Sequence, residues 1–153
     1  MSLWLLLFCF SVVAPAQGAE YVLRIDRDEA CPIGPPTPKI EKGLRALLGY
    51  KHSDAIVGFV LDLNGDRIND YIIQANKPLC GAETCPYEIM DGSSNKSIGT
   101  VIGDPLVVSS MKIQGHLVIQ AYGHGGAKPG MYGTYVFDEG QYVEVSGIDL
   151  ISE

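Results

Sequence analysis

The chain has 153 residues and a net charge of −7, with 46% hydrophobic and 19% charged residues. That length fits one domain, and the hydrophobic share excludes a disordered chain. An acidic chain without a Lys/Arg cluster is poorly suited to nucleic acid or an anionic membrane surface, so a basic protein is the favoured macromolecular partner.

In chain order, residues 1–19 carry no ionisable side chain, and Leu3 to Val13 form an apolar run. The run is shorter than the roughly 20 residues of a spanning helix. Small residues follow at Ala14-Pro15-Ala16, so residues 1–19 read as a signal peptide and 20–153 as the exported domain, in a periplasm or outside the cell. Glu20 to Ile25 alternates and reads as a short strand, followed by a Pro-rich loop to Pro38. Thr37 as N-cap and Pro38 at the first helical position then open a helix. Ile40, Leu44, Leu47 and Leu48 make its apolar stripe, and Gly49 ends it.

Beyond the helix, Ala55 to Leu61 and Tyr71 to Gln74 read as antiparallel strands. Further strands fall at Tyr87–Met90, Ser97–Ile102, Leu106–Ile113, His116–Tyr122, Met131–Phe137 and Gln141–Val145, each bounded by Gly, Asp, Asn or Pro. The expected class is α+β, mostly β: one blade-like antiparallel meander with a single N-terminal helix packed on it. Cys80 and Cys85 bracket a short loop and suit a disulfide in an oxidising compartment. Cys31 is left odd, as a buried thiol or a link between chains.

Between the first two of these paired strands lies Asp62-Leu63-Asn64-Gly65-Asp66-Arg67-Ile68-Asn69-Asp70. Oxygen side chains stand at positions one, three, five and nine, and the Ile68 carbonyl can fill the gap between Asp66 and Asp70. Short carboxylates in this pattern suit a hard cation such as calcium. Position twelve is Ile73 and position six Arg67, so the loop is not an EF-hand. The alternative is a metal-free turn in which Asp and Asn side chains accept nearby backbone N–H groups.

The run resembles the calcium loop of FG-GAP repeats, the units of integrin-type β-propellers, whose pattern is Asp-x-Asn-Gly-Asp-Gly-x-x-Asp inside a hairpin. The match covers Asp62, Asn64, Gly65, Asp66 and Asp70; the second Gly of the pattern is Arg67 here. The resemblance implies ligand roles for Asp62, Asn64, Asp66 and Asp70 and a structural calcium. It spans residues 59–73 in a single copy, so a whole propeller is not expected.

Other candidate chemistry is sparse. The Gly-rich run 123–130 lacks the P-loop spacing and reads as a hairpin loop, in which His124, Lys128 and Tyr132 could reach a partner. The three histidines have no zinc spacing, and no Gly-x-Ser-x-Gly elbow occurs. The expected function is therefore an exported, non-catalytic protein with one structural calcium loop, acting through protein contacts. The alternatives are a periplasmic inhibitor or immunity protein of a basic cell-wall hydrolase, on charge, size and export alone, and a calcium-dependent hydrolase.

Overall fold

A computed structural model describes residues 21–35, 38–82, 84–123 and 130–145. The leader expected over 1–19, the Thr37 cap, and His124 and Lys128 of the Gly-rich run lie outside the described residues. Among the described residues, ten strands form two five-stranded sheets. One sheet is the meander β2 (Cys31–Pro32), β3 (Val57–Leu61), β4 (Asp70–Gln74), β5 (Cys85–Asp91) and β6 (Lys96–Gly103). The other contains a second meander, β7 (Leu106–Ile113), β8 (His116–Gly123), β9 (Met131–Asp138) and β10 (Gln141–Val145), and β1 (Tyr21–Ile25) pairs along β7. Every pairing is antiparallel.

The mostly-β, antiparallel class and the positions of the long strands agree with the sequence reading. The single blade-like sheet does not: the meander divides at Gly103-Asp104-Pro105. Strand propensity and turn chemistry report each hairpin but not which sheet it joins, because that depends on side chains distant in sequence. Here they are the residues of one core between the sheets. Ile72, Tyr87, Ile89 and Val101 come from one side, and Ile25, Leu106, Val108, Ile119 and Tyr142 from the other. At the open side the sheets meet through Gly99 (φ 140°), where a Cβ would lie 3.0 Å from the Tyr142 backbone nitrogen and oxygen. A side chain there would push β6 off β10.

The helix also departs from the expectation. It is a six-residue turn, α1 (Lys42–Leu47), with Glu41 at the N-cap position, not a helix from Pro38. Gly43 lowers helix propensity in its middle by about 1 kcal/mol, and so short a segment holds only by packing. Starting at Lys42 sets its phase. Leu44 and Leu48, four apart, turn to the sheet, while Leu47 is 74% exposed and leaves the expected stripe. The helix end follows the expectation. Gly49 takes φ 77°, its N–H donates to the Ala46 carbonyl, and the Tyr50 N–H donates to the Arg45 carbonyl. This is the Schellman pattern.

Residues around α1 cover the outer face of the β2–β6 sheet. Ile33, Leu48 and Tyr50 pack there on Tyr71, Ile73 and Met90. Since Ile72 faces the inter-sheet core, β4 is buried along its whole length. Cys80 and Cys85 are bonded, with Cα atoms 4.2 Å apart. No described cysteine is a free thiol, so Cys31 is not the buried thiol that the sequence left open. Among the described residues no helix is long and apolar enough to cross a membrane.

Two core tyrosines differ in their hydroxyls. Tyr142 donates to the Leu117 carbonyl at 2.8 Å, whereas the Tyr87 hydroxyl has no partner among the described residues. Burial, then the Asp104 carboxylate, pushes the Tyr87 phenol well above its ordinary range. A net buried hydrogen bond contributes about 1 kcal/mol, and an orphaned hydroxyl contributes none. Tyr142→Phe is therefore expected to cost about 1–2 kcal/mol in urea unfolding, and Tyr87→Phe to be neutral or stabilising. Equal losses in the two variants would contradict this.

Candidate cation loop

The loop joins β3 to β4, whose ladder closes at the Leu61–Asp70 pair. Its backbone turns by taking left-handed φ at two positions, Gly65 (86°) and Arg67 (70°). The first suits glycine. The second costs an arginine about 1 kcal/mol, so it holds only because the surrounding hydrogen bonds over-determine it.

Those bonds are a ladder of side-chain acceptors. The two Asp62 carboxylate oxygens accept the Gly65 N–H at 2.6 Å and the Arg67 N–H at 2.9 Å. Asn64 Oδ1 accepts the Asp66 N–H at 2.8 Å, and Asp66 Oδ1 accepts the Ile68 N–H at 2.7 Å. The Asn64 amide donates to Asp66 Oδ2 at 3.2 Å. Each short side chain thus turns the chain just after it.

Asp70 is placed differently. It is 1% exposed, and its oxygens accept the Leu63 and Gly92 N–H groups, both at 2.9 Å. It ties the loop to the Asp91–Asn95 turn. Gly92 belongs there because a Cβ would lie 1.8 Å from the Asn69 carbonyl oxygen. From the second sheet, Leu117 donates its N–H to the Leu63 carbonyl at 2.8 Å, and the Leu63 side chain enters the core. The Lys112 ammonium donates to the Asn64 carbonyl at 3.0 Å. Three turns, 62–69, 91–95 and 112–117, therefore converge at one end of the molecule.

The acids respond to their surroundings in opposite ways. Desolvation pushes the Asp70 carboxyl up and wins over its two N–H donors, with Asp91 and Asp66 adding repulsion. Desolvation also pushes Asp62 up, but there the backbone N–H groups of Gly65, Arg67, Asn64 and Asp66 together outweigh it and hold the carboxyl below its ordinary value. Asp91 is lowered likewise: desolvation is overcome by the Ser93 hydroxyl and the Ser94 N–H.

All five loop residues singled out from the sequence, Asp62, Asn64, Asp66, Ile68 and Asp70, thus lie on one loop, the first four on its outer part and Asp70 beneath. Among the described residues, no three His, Cys, Asp or Glu side chains gather at metal-binding spacing. The oxygens of Asp62, Asn64 and Asp66 retain lone pairs beyond the N–H bonds they accept. Lys112 and Gly92 were not found from the sequence, because both arrive from turns distant along the chain. Tyr132 is 41% exposed beside Tyr122, with ring centroids 5.1 Å apart. It lies at the Gly123–Met131 end of the β8–β9 ladder, away from the acidic loop. No family model, curated protein or solved structure matches this chain.

Two outcomes follow from this geometry. Asp70→Ala leaves two buried N–H groups without an acceptor and is expected to cost about 2–4 kcal/mol in urea unfolding. Asp66→Ala, at an exposed position, should cost less; equal costs would remove Asp70 from its anchoring role. The second concerns pH. Asp62 and Asp91, held low in the folded state, contribute stability present above the unfolded value near 3.9 and lost as the pH falls through their folded values. Asp70 works oppositely: protonation favours the fold below that value, and the contribution fades as the pH rises through its raised value. Stability measured across pH 2–7 is expected to fall mainly below about pH 3.9, and less steeply in Asp62→Asn. A fall complete by about pH 5 would contradict the assignment.

Proposed function

We propose that the protein is an exported, non-catalytic β-rich protein whose 62–70 loop holds one structural calcium ion and whose work is protein contact. The observation that carries this reading is the loop backbone. It takes left-handed φ at Gly65 and Arg67, the two positions at which the FG-GAP pattern has glycine. The left-handed φ at Arg67 supports a glycine-like backbone at that position of the pattern.

Asp62, Asn64, Asp66 and the Ile68 carbonyl would hold the ion, with Asp70 closing the set from the buried side through its remaining lone pairs. A bound calcium supplies positive charge where three carboxylates stand within nine residues. The chain's own residues already offset part of that negative charge. Backbone N–H groups face Asp62 and Asp66, and the Lys112 ammonium lies against the loop. The ion would act through linkage, binding the folded hairpin and not the unfolded chain. Oxygen-rich extracellular modules bind calcium at about 10⁻⁴–10⁻³ M, which suits an exported chain.

The contact role rests on charge. A net charge of −7 favours a basic partner. In its sharper form the partner is a basic cell-wall hydrolase that the protein inhibits. His116 suits a structural use: it stacks on Phe137 at 3.6 Å between ring centroids, and its Nδ1 is paired with the Gln114 carbonyl.

Thermal unfolding of residues 20–153 with calcium and with chelator tests the ion. The midpoint is expected to rise with calcium, by the equivalent of about 2.7 kcal/mol at a hundred times Kd, and the rise should disappear in Asp66→Ala. An unchanged midpoint would leave the loop a metal-free turn. Inhibition assays against several basic lysozyme-like enzymes test the contact role. Salt-sensitive inhibition supports the sharper form, and none at equimolar dose removes it.

A further inference from the structure

At the end of the molecule away from the acidic loop, two 3-10 turns, Arg27–Glu29 and Lys77–Leu79, border a cleft over the last residue of β4. Its two lobes, about 250 and 220 Å³, share Arg27, Asp28, Gln74 and Lys77. We propose that this cleft binds a free amino acid as its zwitterion.

Gln74 is the residue that calls for a ligand. Its side chain is 2% exposed, it lines both lobes, and its Oε1 has no hydrogen-bond partner among the described residues. Its amide nitrogen has only the Cys80 sulfur, at 3.9 Å. A buried carbonyl oxygen left unpaired is costly, so the site calls for a donor from outside the protein.

Charge narrows the choice of ligand. Lys77 and Asp28 are exposed, line both lobes, and neither forms an ion pair with a described residue. Arg27 is committed elsewhere: its Nε pairs with Asp104 at 3.2 Å and its Nη1 donates to the Gly81 carbonyl at 2.8 Å. The cleft thus offers an ammonium, a carboxylate and a buried acceptor to a small solute. An α-carboxylate answers Lys77, and an α-ammonium answers Asp28 and Gln74 Oε1. A neutral polyol could hydrogen-bond to all three groups but would leave both charges uncompensated, and a simple anion would face Asp28 and Asp54. Each lobe lies just below the roughly 300 Å³ at which sites for drug-sized ligands begin, which suits a single amino acid.

The walls are held in place before any ligand arrives. The Cys80–Cys85 disulfide fixes the far side. The Tyr50 hydroxyl donates to the Gln74 carbonyl at 2.7 Å, and the Asn76 amide donates to the Gly49 carbonyl at 2.9 Å. Preorganisation of this kind lowers the ordering cost of binding.

The test is a backbone-amide NMR titration of residues 20–153, with calorimetry, using glycine, alanine, serine, glutamate and lysine as probes. Glucose serves as the neutral polyol and acetate as the simple anion. At least one amino acid is expected to saturate shifts confined to residues 27–30, 50–57 and 74–81, with glucose and acetate inert. Lys77→Ala and Asp28→Ala, both at exposed positions, should each weaken it about tenfold. The proposal is overturned if no amino acid moves those amides at about 10 mM, a concentration that reaches even the weak end of the affinity scale, or if glucose or acetate binds as well. Binding unaffected by either variant would overturn it equally.

Discussion

The burial of β4 on both faces is the constraint on which the rest depends. A strand of five residues carries Tyr71 and Ile73 on one side and Ile72 on the other, and all are covered. Fully burying each such side chain stabilises by about 1.5–3 kcal/mol, so few positions in the chain hold the fold more firmly. Two polar residues close the strand, Asp70 at its head and Gln74 at its foot, both at most 2% exposed. Neither position is cheap for a polar side chain. The two candidate sites lie at these two ends.

At the head, the cost of burying Asp70 is offset in part by two backbone N–H donors that come from different segments. That is why the residue can organise the loop and the neighbouring turn together. The remaining acids use a different solution. Asp62 and Asp66 stay nearer the solvent, and their charge is met by N–H groups of the loop itself. A backbone that presents these donors must curl tightly, and the curl demands left-handed φ at Gly65 and at Arg67. The strain at Arg67 and the electrostatics of Asp62 are thus two consequences of one geometry.

Much of this was legible in the sequence, and the limits are physical. The strands Leu106–Ile113, His116–Gly123 and Gln141–Val145 were readable because alternation and turn residues are local signals. The two-residue strand Cys31–Pro32 is too short to show a period. The division into two sheets was invisible, since it depends on contacts such as Gly99 with Tyr142. The spacing predicts a longer helix because Leu47 fits a helical stripe, whereas the late start at Lys42 turns it to solvent. In the loop, the turn-forming role of Asp62, Asn64 and Asp66 was readable from residue type. The separate role of Asp70 was not, because its second partner, Gly92, lies 22 residues away.

The foot of β4 shows why a buried amide carries different information from a buried acid. Asp70 brings part of its own solution: both oxygens accept N–H groups within the fold. Gln74 does not. Its carbonyl serves Tyr50, yet its side-chain oxygen stays unpaired at the base of a cleft framed by charges that the described fold does not pair with one another. An apolar residue of similar size would fill the same strand position without that cost. A buried acceptor beside an open cleft is accounted for once a solute supplies the donor, and the opposite charges of Lys77 and Asp28 restrict which solute that is.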